Sequence, residues 1–153
     1  MSQLNTPQST AKLAGRPIHP MTVSLPIALL IITFLCDVAF YVWEEPLLAT
    51  VARYALDAGI LSAALAAVFG FIDYFGSKQI RSIRAAHIHL VGNVSILLLS
   101  VINFLIRYGS AEPVPLSSLI LSTIVFVAIH VTGWMGWTMV YRQGVGVSTP
   151  VRR

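Results

Sequence analysis

The sequence predicts an all-α integral membrane protein: a four-helix bundle that crosses the bilayer four times, with both termini on the cytoplasmic side. Three observations carry that prediction. Hydrophobic residues make up 56% of the 153 and charged residues only 10%, with a mean hydropathy of +0.79, whereas about a quarter of an ordinary soluble domain is charged. Four apolar stretches are each long enough to cross a hydrocarbon core of roughly 30 Å, which takes about 20 helical residues. The basic residues, followed through four crossings, gather on one side.

Taken in chain order, residues 1–16 are rich in Ser, Thr, Gln and Asn. Such a composition buries too little apolar surface to offset ordering entropy, so a flexible polar tail is expected. This polar run, followed by a span-length apolar segment, does not read as a cleavable signal, and the segment is expected to be retained. The transmembrane domain then occupies residues 17–147, with spans at about 21–43, 55–75, 85–106 and 116–141, and residues 148–153 form a short C-terminal tail. The connections Glu44 to Tyr54, Gly76 to Arg84 and Arg107 to Pro115 are short, which makes successive helices antiparallel neighbours. Gly109, Pro113 and Pro115 punctuate the last of them. No apolar run alternates with period two, so a β-barrel is excluded.

The formal charge is +4 and the pI about 9.6, but no basic run interleaves with aromatics, so nucleic acid is not a partner. Lys12, Arg16, Lys78, Arg81, Arg84, Arg142, Arg152 and Arg153 fall on one side of the membrane, against Arg53 and Arg107 on the other. That asymmetry sets both termini inside a bacterial inner membrane. The lone Cys36 lies within the first span, so no intrachain disulfide is available.

Polar residues in a membrane helix turn toward protein or a wet cavity, so their helical phase marks the inward face. On the third span, Asn93, Ser100, Asn103 and Arg107 follow His89 at offsets of 4, 11, 14 and 18, which is one stripe. On the first, His19, Thr22, Pro26, Thr33 and Asp37 share a face, and Pro26 is expected to kink the helix and free a carbonyl. The second carries Gly59, Ser62, Ala66, Gly70 and Asp73, small residues that let backbones approach, ending in an acid. On the fourth, Thr123, His130, Gly133, Trp134, Trp137 and Tyr141 lie along one side, with the aromatics toward the cytoplasmic boundary, where some serve as anchors.

Two readings of these polar groups stand open. In one, His19 and His89, on inward faces of separate helices at similar depth, ligate a single b-type haem, with no other metal. In the other, buried histidines only hydrogen-bond helices or a carboxylate such as Asp73. His130 is a poorer partner for His89, since their depths differ by roughly 9 Å at the helical rise per residue. Asp37 and Arg107 near the outer boundary are expected to form a structural ion pair, with a proton-path carboxylate as the rival. Asp73, Asn93 and Asn103 are read as structural polar groups, and His87 as interfacial, because two histidines two apart on a helix point away from one another. No nucleophile with base and orienting acid, phosphate loop or zinc helix is present, so no catalytic residue is assigned.

The residues His19-Pro20-Met21, Pro26 to Leu30, Asp37, Gly70 with Asp73-Tyr74, His89 with Asn93, Arg107, Gly133 to Gly136 and Val140 to Val147 together resemble the bacterial domain of unknown function 2231 across about residues 16–147. The resemblance implies a small multi-helix inner-membrane protein. Some members carry a Rieske-type iron-sulfur domain, which implies a link to electron transfer. Where some members have His-Phe-Pro, this chain has Ser24-Leu25-Pro26. Three functions are weighed: a non-catalytic accessory or assembly module, a haem-binding electron-transfer protein, and ion or small-molecule transport. Transport has the least room, since four helices leave little space for a pathway and no inverted repeat is evident. The partners expected are the lipid bilayer, a redox protein or membrane-complex subunit, and further copies of the chain.

Overall fold

The computed structural model describes residues 6–147; the first five residues of the expected N-terminal tail and all of the tail at 148–153 lie outside it. A two-residue hairpin, β1 (Lys12–Leu13) with β2 (Arg16–Pro17), leads into α1 (His19–Thr22) and α2 (Ser24–Trp43). Its turn has positive φ at Ala14 and Gly15, the pairing that a tight hairpin needs. The break between α1 and α2 falls at Val23. Pro26, three residues on, has no N–H to offer the Thr22 carbonyl and its ring crowds that oxygen. The two pieces form one membrane-length unit, His19–Trp43.

Glu44, in the left-handed conformation with its N–H on the Phe40 carbonyl at 2.7 Å, ends α2. Two residues later α3 (Pro46–Gly76) begins, with Pro46 in the first turn and the Glu45 carboxylate accepting from the Leu47 N–H. This helix starts nine residues before the expected span at 55. Residues 47–54 contain no Gly or Pro to break a helix, and hydropathy marks only the part of a helix that suits lipid, not where the helix begins. At 31 residues it is about 46 Å long. Ser77 caps α4 (Lys78–Arg81), after which α5 (Arg84–Gly109) and α6 (Leu116–Tyr141) follow. Among the described residues, four helical units are long and apolar enough to cross a membrane.

The bundle is two antiparallel hairpins, α2 with α3 and α5 with α6, closed by contacts of α3 with α5 and of α2 with α6. Thus α2 and α5 run parallel on one diagonal. Leu30, Leu56, Ile96, Val125 and Ile129 pack at the centre, while Leu61, Leu98 and Val127 are among many apolar residues turned outward. That outward apolar surface suits lipid rather than water.

The inward faces of α2 (Pro26, Leu30, Thr33, Asp37) and α5 (Ile96, Ser100, Asn103, Arg107) agree with the polar phase of the sequence except at Asn93, which is exposed and bonds the carbonyl of its own helix one turn back. On α6 the expected stripe points the wrong way. Its buried face is Ser118, Ser122, Val125, Ile129 and Thr132, whereas Thr123, His130, Trp134, Trp137 and Tyr141 are exposed. Trp134, Trp137 and Tyr141 stack in a ladder along the outside, the amphipathic arrangement that favours a membrane boundary.

The reading of residues 1–16 as a free tail also gives way over Ser9 to Ala11, which lie on the bundle. The Asp73 carboxylate oxygen Oδ1 accepts from the Ser9 hydroxyl (2.8 Å) and from the N–H groups of Thr10 and Ala11 (2.7 Å each). A polar segment needs no apolar surface to be ordered when a carboxylate gathers its backbone donors.

Candidate functional site

At the end of the bundle where α3 stops and α5 begins, the four helices enclose a cavity of about 360 Å³. Its walls are mostly apolar, and Ser9, Pro17, Val145 and Gly146 lie across its mouth. The ends of the described chain meet there, with the Gly146 N–H donating to the Pro7 carbonyl (2.9 Å) and the Thr6 hydroxyl to the Val147 carbonyl (3.2 Å).

Two histidines face each other in this cavity. His19 stands at the start of α1, and its Nδ1 is 3.0 Å from the Ala66 carbonyl of α3. His89, one turn into α5, has its Nδ1 2.9 Å from the Thr132 carbonyl of α6. A carbonyl only accepts, so both rings carry their proton on Nδ1, and both Nε2 atoms present a lone pair. Among the described residues neither Nε2 has a hydrogen-bond partner. The ring centres are 6.1 Å apart and the planes are perpendicular, at 89°.

Glycines make room for both rings. A Cβ on Gly70 would come within 3.0 Å of His19 Cε1, and one on Gly136 within 3.3 Å of His89 Cε1. Each glycine lies four residues beyond the carbonyl that holds the ring, one helical turn along the same face. Asn93 also lines the cavity, its Nδ2 donating to the His89 carbonyl at 2.7 Å. Asp73 lines it too, but binds the N-terminal segment rather than a histidine.

His130 does not join the site. It is exposed on the outside of α6, and its Nδ1–H returns to the Phe126 carbonyl of its own helix (2.8 Å). His87 also lies outside, 3.1 Å from the Tyr74 hydroxyl. The contacts missed by sequence reasoning are those of Asp73 and the two ring-supporting glycines. Their signal was present only as the i, i+4 spacing of small residues on two helices.

At the far end of the bundle Asp37 Oδ2 accepts from Arg107 Nη2 across the α2–α5 diagonal, both side chains being almost wholly buried. Arg107 Nε donates to Asn103 Oδ1 (3.1 Å), and Asn103 Nδ2 to the Ser118 carbonyl (3.2 Å). Asp37 and Arg107 are thus in contact as an ion pair, with Asn103 bonded to the guanidinium, while Asp37 Oδ1 and Arg107 Nη1 are buried without a hydrogen-bond partner among the described residues.

Among the described residues no group of three or more His, Cys, Asp and Glu could hold a metal ion. A bare ion between His19 and His89 would have two protein ligands, too few for the usual four or more. No curated protein and no solved structure matches this chain. A family model described as a predicted membrane protein, DUF2231, matches residues 15–149, which takes in all four helices, both histidines and the ion pair. The chain belongs to that DUF2231 family of membrane proteins.

Proposed function

We propose that this protein holds one b-type haem between His19 and His89 and serves as an electron-transfer module of the bacterial inner membrane, both termini being cytoplasmic. The observation that carries the reading is the histidine pair itself: two imidazoles from separate helices, each fixed through Nδ1 to a backbone carbonyl, with both lone pairs free beside one apolar cavity. The two ring centres lie 6.1 Å apart. Two ligands suffice when a porphyrin supplies the other four, and an Nδ1–H to carbonyl bond orients such a ligand and raises its basicity. Bound haem would supply a one-electron carrier; the protein's part is to fix both imidazoles and exclude water. A separate redox protein or membrane-complex subunit then exchanges the electron, and the asymmetry of basic residues supports the orientation.

The rival reading is a non-catalytic accessory or assembly module, in which the histidines only tie α1 to α3 and α5 to α6. It is favoured by one observation: no Lys or Arg is among the described residues that line the cavity, whose one carboxylate is Asp73, so haem propionates would lack a cation there. The test is absorbance of the full chain purified after expression with ample haem. A Soret band with the resolved α and β bands of a reduced six-coordinate low-spin haem is expected, and a colourless, folded protein would leave the accessory reading.

A further inference from the structure

The two pairs that meet across the centre of the bundle have the same spacing. His19 and Asp37 are 18 residues apart, and so are His89 and Arg107. His19 faces His89, and Asp37 faces Arg107. Adding 70 to the buried positions of α2, Pro26, Leu30, Thr33 and Asp37, gives Ile96, Ser100, Asn103 and Arg107, all buried in α5. Adding 66 to Ala52, Leu56, Gly59 and Ala66 of α3 gives Ser118, Ser122, Val125 and Thr132, all buried in α6. The two offsets differ because four fewer residues separate Arg107 from Ser118 than separate Asp37 from Ala52, although the loop of the second hairpin is the longer one.

Bonding follows the same rule. The first hairpin sets His19 on the Ala66 carbonyl with Gly70 four residues on, and the second sets His89 on the Thr132 carbonyl with Gly136 four residues on. Packing does too: α3 meets α5 as α6 meets α2. Helical periodicity alone aligns two buried stripes about once in 3.6 trials. It does not also put histidine opposite histidine, acid opposite base, and a glycine one turn beyond each supporting carbonyl.

We infer that the chain is two copies of one helical hairpin, running from His19 to Gly76 and from His89 to Arg142, related by a two-fold axis along the bundle, and that each copy supplies half of both axial sites. One imidazole from each half enters the cavity, and one charge from each half enters the ion pair. Equivalent positions on such an axis face each other, so two acids or two arginines there would be buried and repelling. Aspartate in one half and arginine in the other makes the halves complementary. The ligand, on the haem reading on which this clause rests, meets the same imidazole edge from both sides and so needs two equivalent faces.

The test needs no haem. In a Cys36→Ala background, spin labels on the outward-facing pair Ile32→Cys and Leu61→Cys, and separately on the equivalent pair Ile102→Cys and Val127→Cys, report the α2–α3 and α5–α6 distances. Overlapping distance distributions are expected, and resolved, different distances would overturn the equivalence. A second arm moves the ion-pair network across the axis. Asp37→Arg with Arg107→Asp reverses the charges but leaves the new arginine without the side chain that Asn103 gives Arg107. Adding Thr33→Asn and Asn103→Thr restores it, with the Ala52 carbonyl in the role of the Ser118 carbonyl. The fourfold variant should give about fivefold or more folded, monodisperse protein than the twofold one, the worth of a restored hydrogen bond. A fourfold variant no better than the twofold one would show that position 33 finds no equivalent carbonyl, and would overturn the inference.

Discussion

The two ends of the bundle differ in what they leave unfinished. At the ion-pair end Asp37, Arg107, Asn103 and the Ser118 carbonyl bond one another, while Asp37 Oδ1, Arg107 Nη1 and Ser118 Oγ are buried without a hydrogen-bond partner among the described residues. At the histidine end each ring makes one bond to a carbonyl, and its second nitrogen opens on a cavity. Burial is costly at both: the first end offsets part of that cost with an ion pair and its hydrogen bonds, the second with one hydrogen bond from each ring to a backbone carbonyl. The difference is between polar groups that bond one another and imidazoles that each bond a backbone carbonyl and border a cavity.

Breaking the first end should have the largest effect. Asp37→Leu leaves the Arg107 guanidinium buried without its acid, at a cost of about 3–5 kcal/mol. Thermal unfolding monitored by circular dichroism in detergent checks this, and a melting temperature near that of the unaltered chain would remove the ion pair from its structural role.

The second end should behave in the opposite way. His89→Ala gives up one hydrogen bond and some packing, about 1–2 kcal/mol, yet on the proposed haem reading should abolish the six-coordinate spectrum. His19→Ala should do the same to a similar degree. Spectral titration with haemin on folded protein decides it; unequal losses would mean that one histidine alone carries the affinity.

A smaller effect sharpens the comparison within α6. Gly133→Ala has nothing within 4 Å of the new methyl and should gain up to about 1 kcal/mol of helix stability. Gly136→Ala, pressed against the His89 ring at 3.3 Å, should gain less and shift the haem spectrum. Paired melting curves and spectra of the two variants check this. The smallest effect is expected for His130→Ala, within about 0.5 kcal/mol of the unaltered chain and without a spectral change, because the ring lies on the exposed side of α6. Loss of haem in this variant would count against a site made by His19 and His89.

Much of the core was legible because a polar residue in a membrane helix has few places to go. Thr33 and Asp37 on α2, and Ser100, Asn103 and Arg107 on α5, were read inward and are buried. The same rule failed on α6, where histidine and tryptophan have a second home: His130 satisfies itself on its own helix, and the tryptophans suit a lipid boundary. Hydropathy could not find the start of α3, since a proline at the first turn and an acidic cap govern helix initiation, not lipid preference. The hold of Asp73 on Ser9 to Ala11 was hidden because its donors are mostly backbone N–H groups, which every residue has. The likeness of the two hairpins was obscured where leucine in one half answers serine in the other, at positions 30 and 100, and only the contacts across the bundle align them.

The meeting of Pro7 and Thr6 with Gly146 and Val147 over the cavity also bears on how the chain can be written. Joining those ends through a short linker and opening the polypeptide in the segment around α4 would yield a circular permutant in which the second hairpin is synthesised first. Every buried partner would remain as it is, and the order in which the halves enter the membrane would become an experimental variable separate from the folded form they reach.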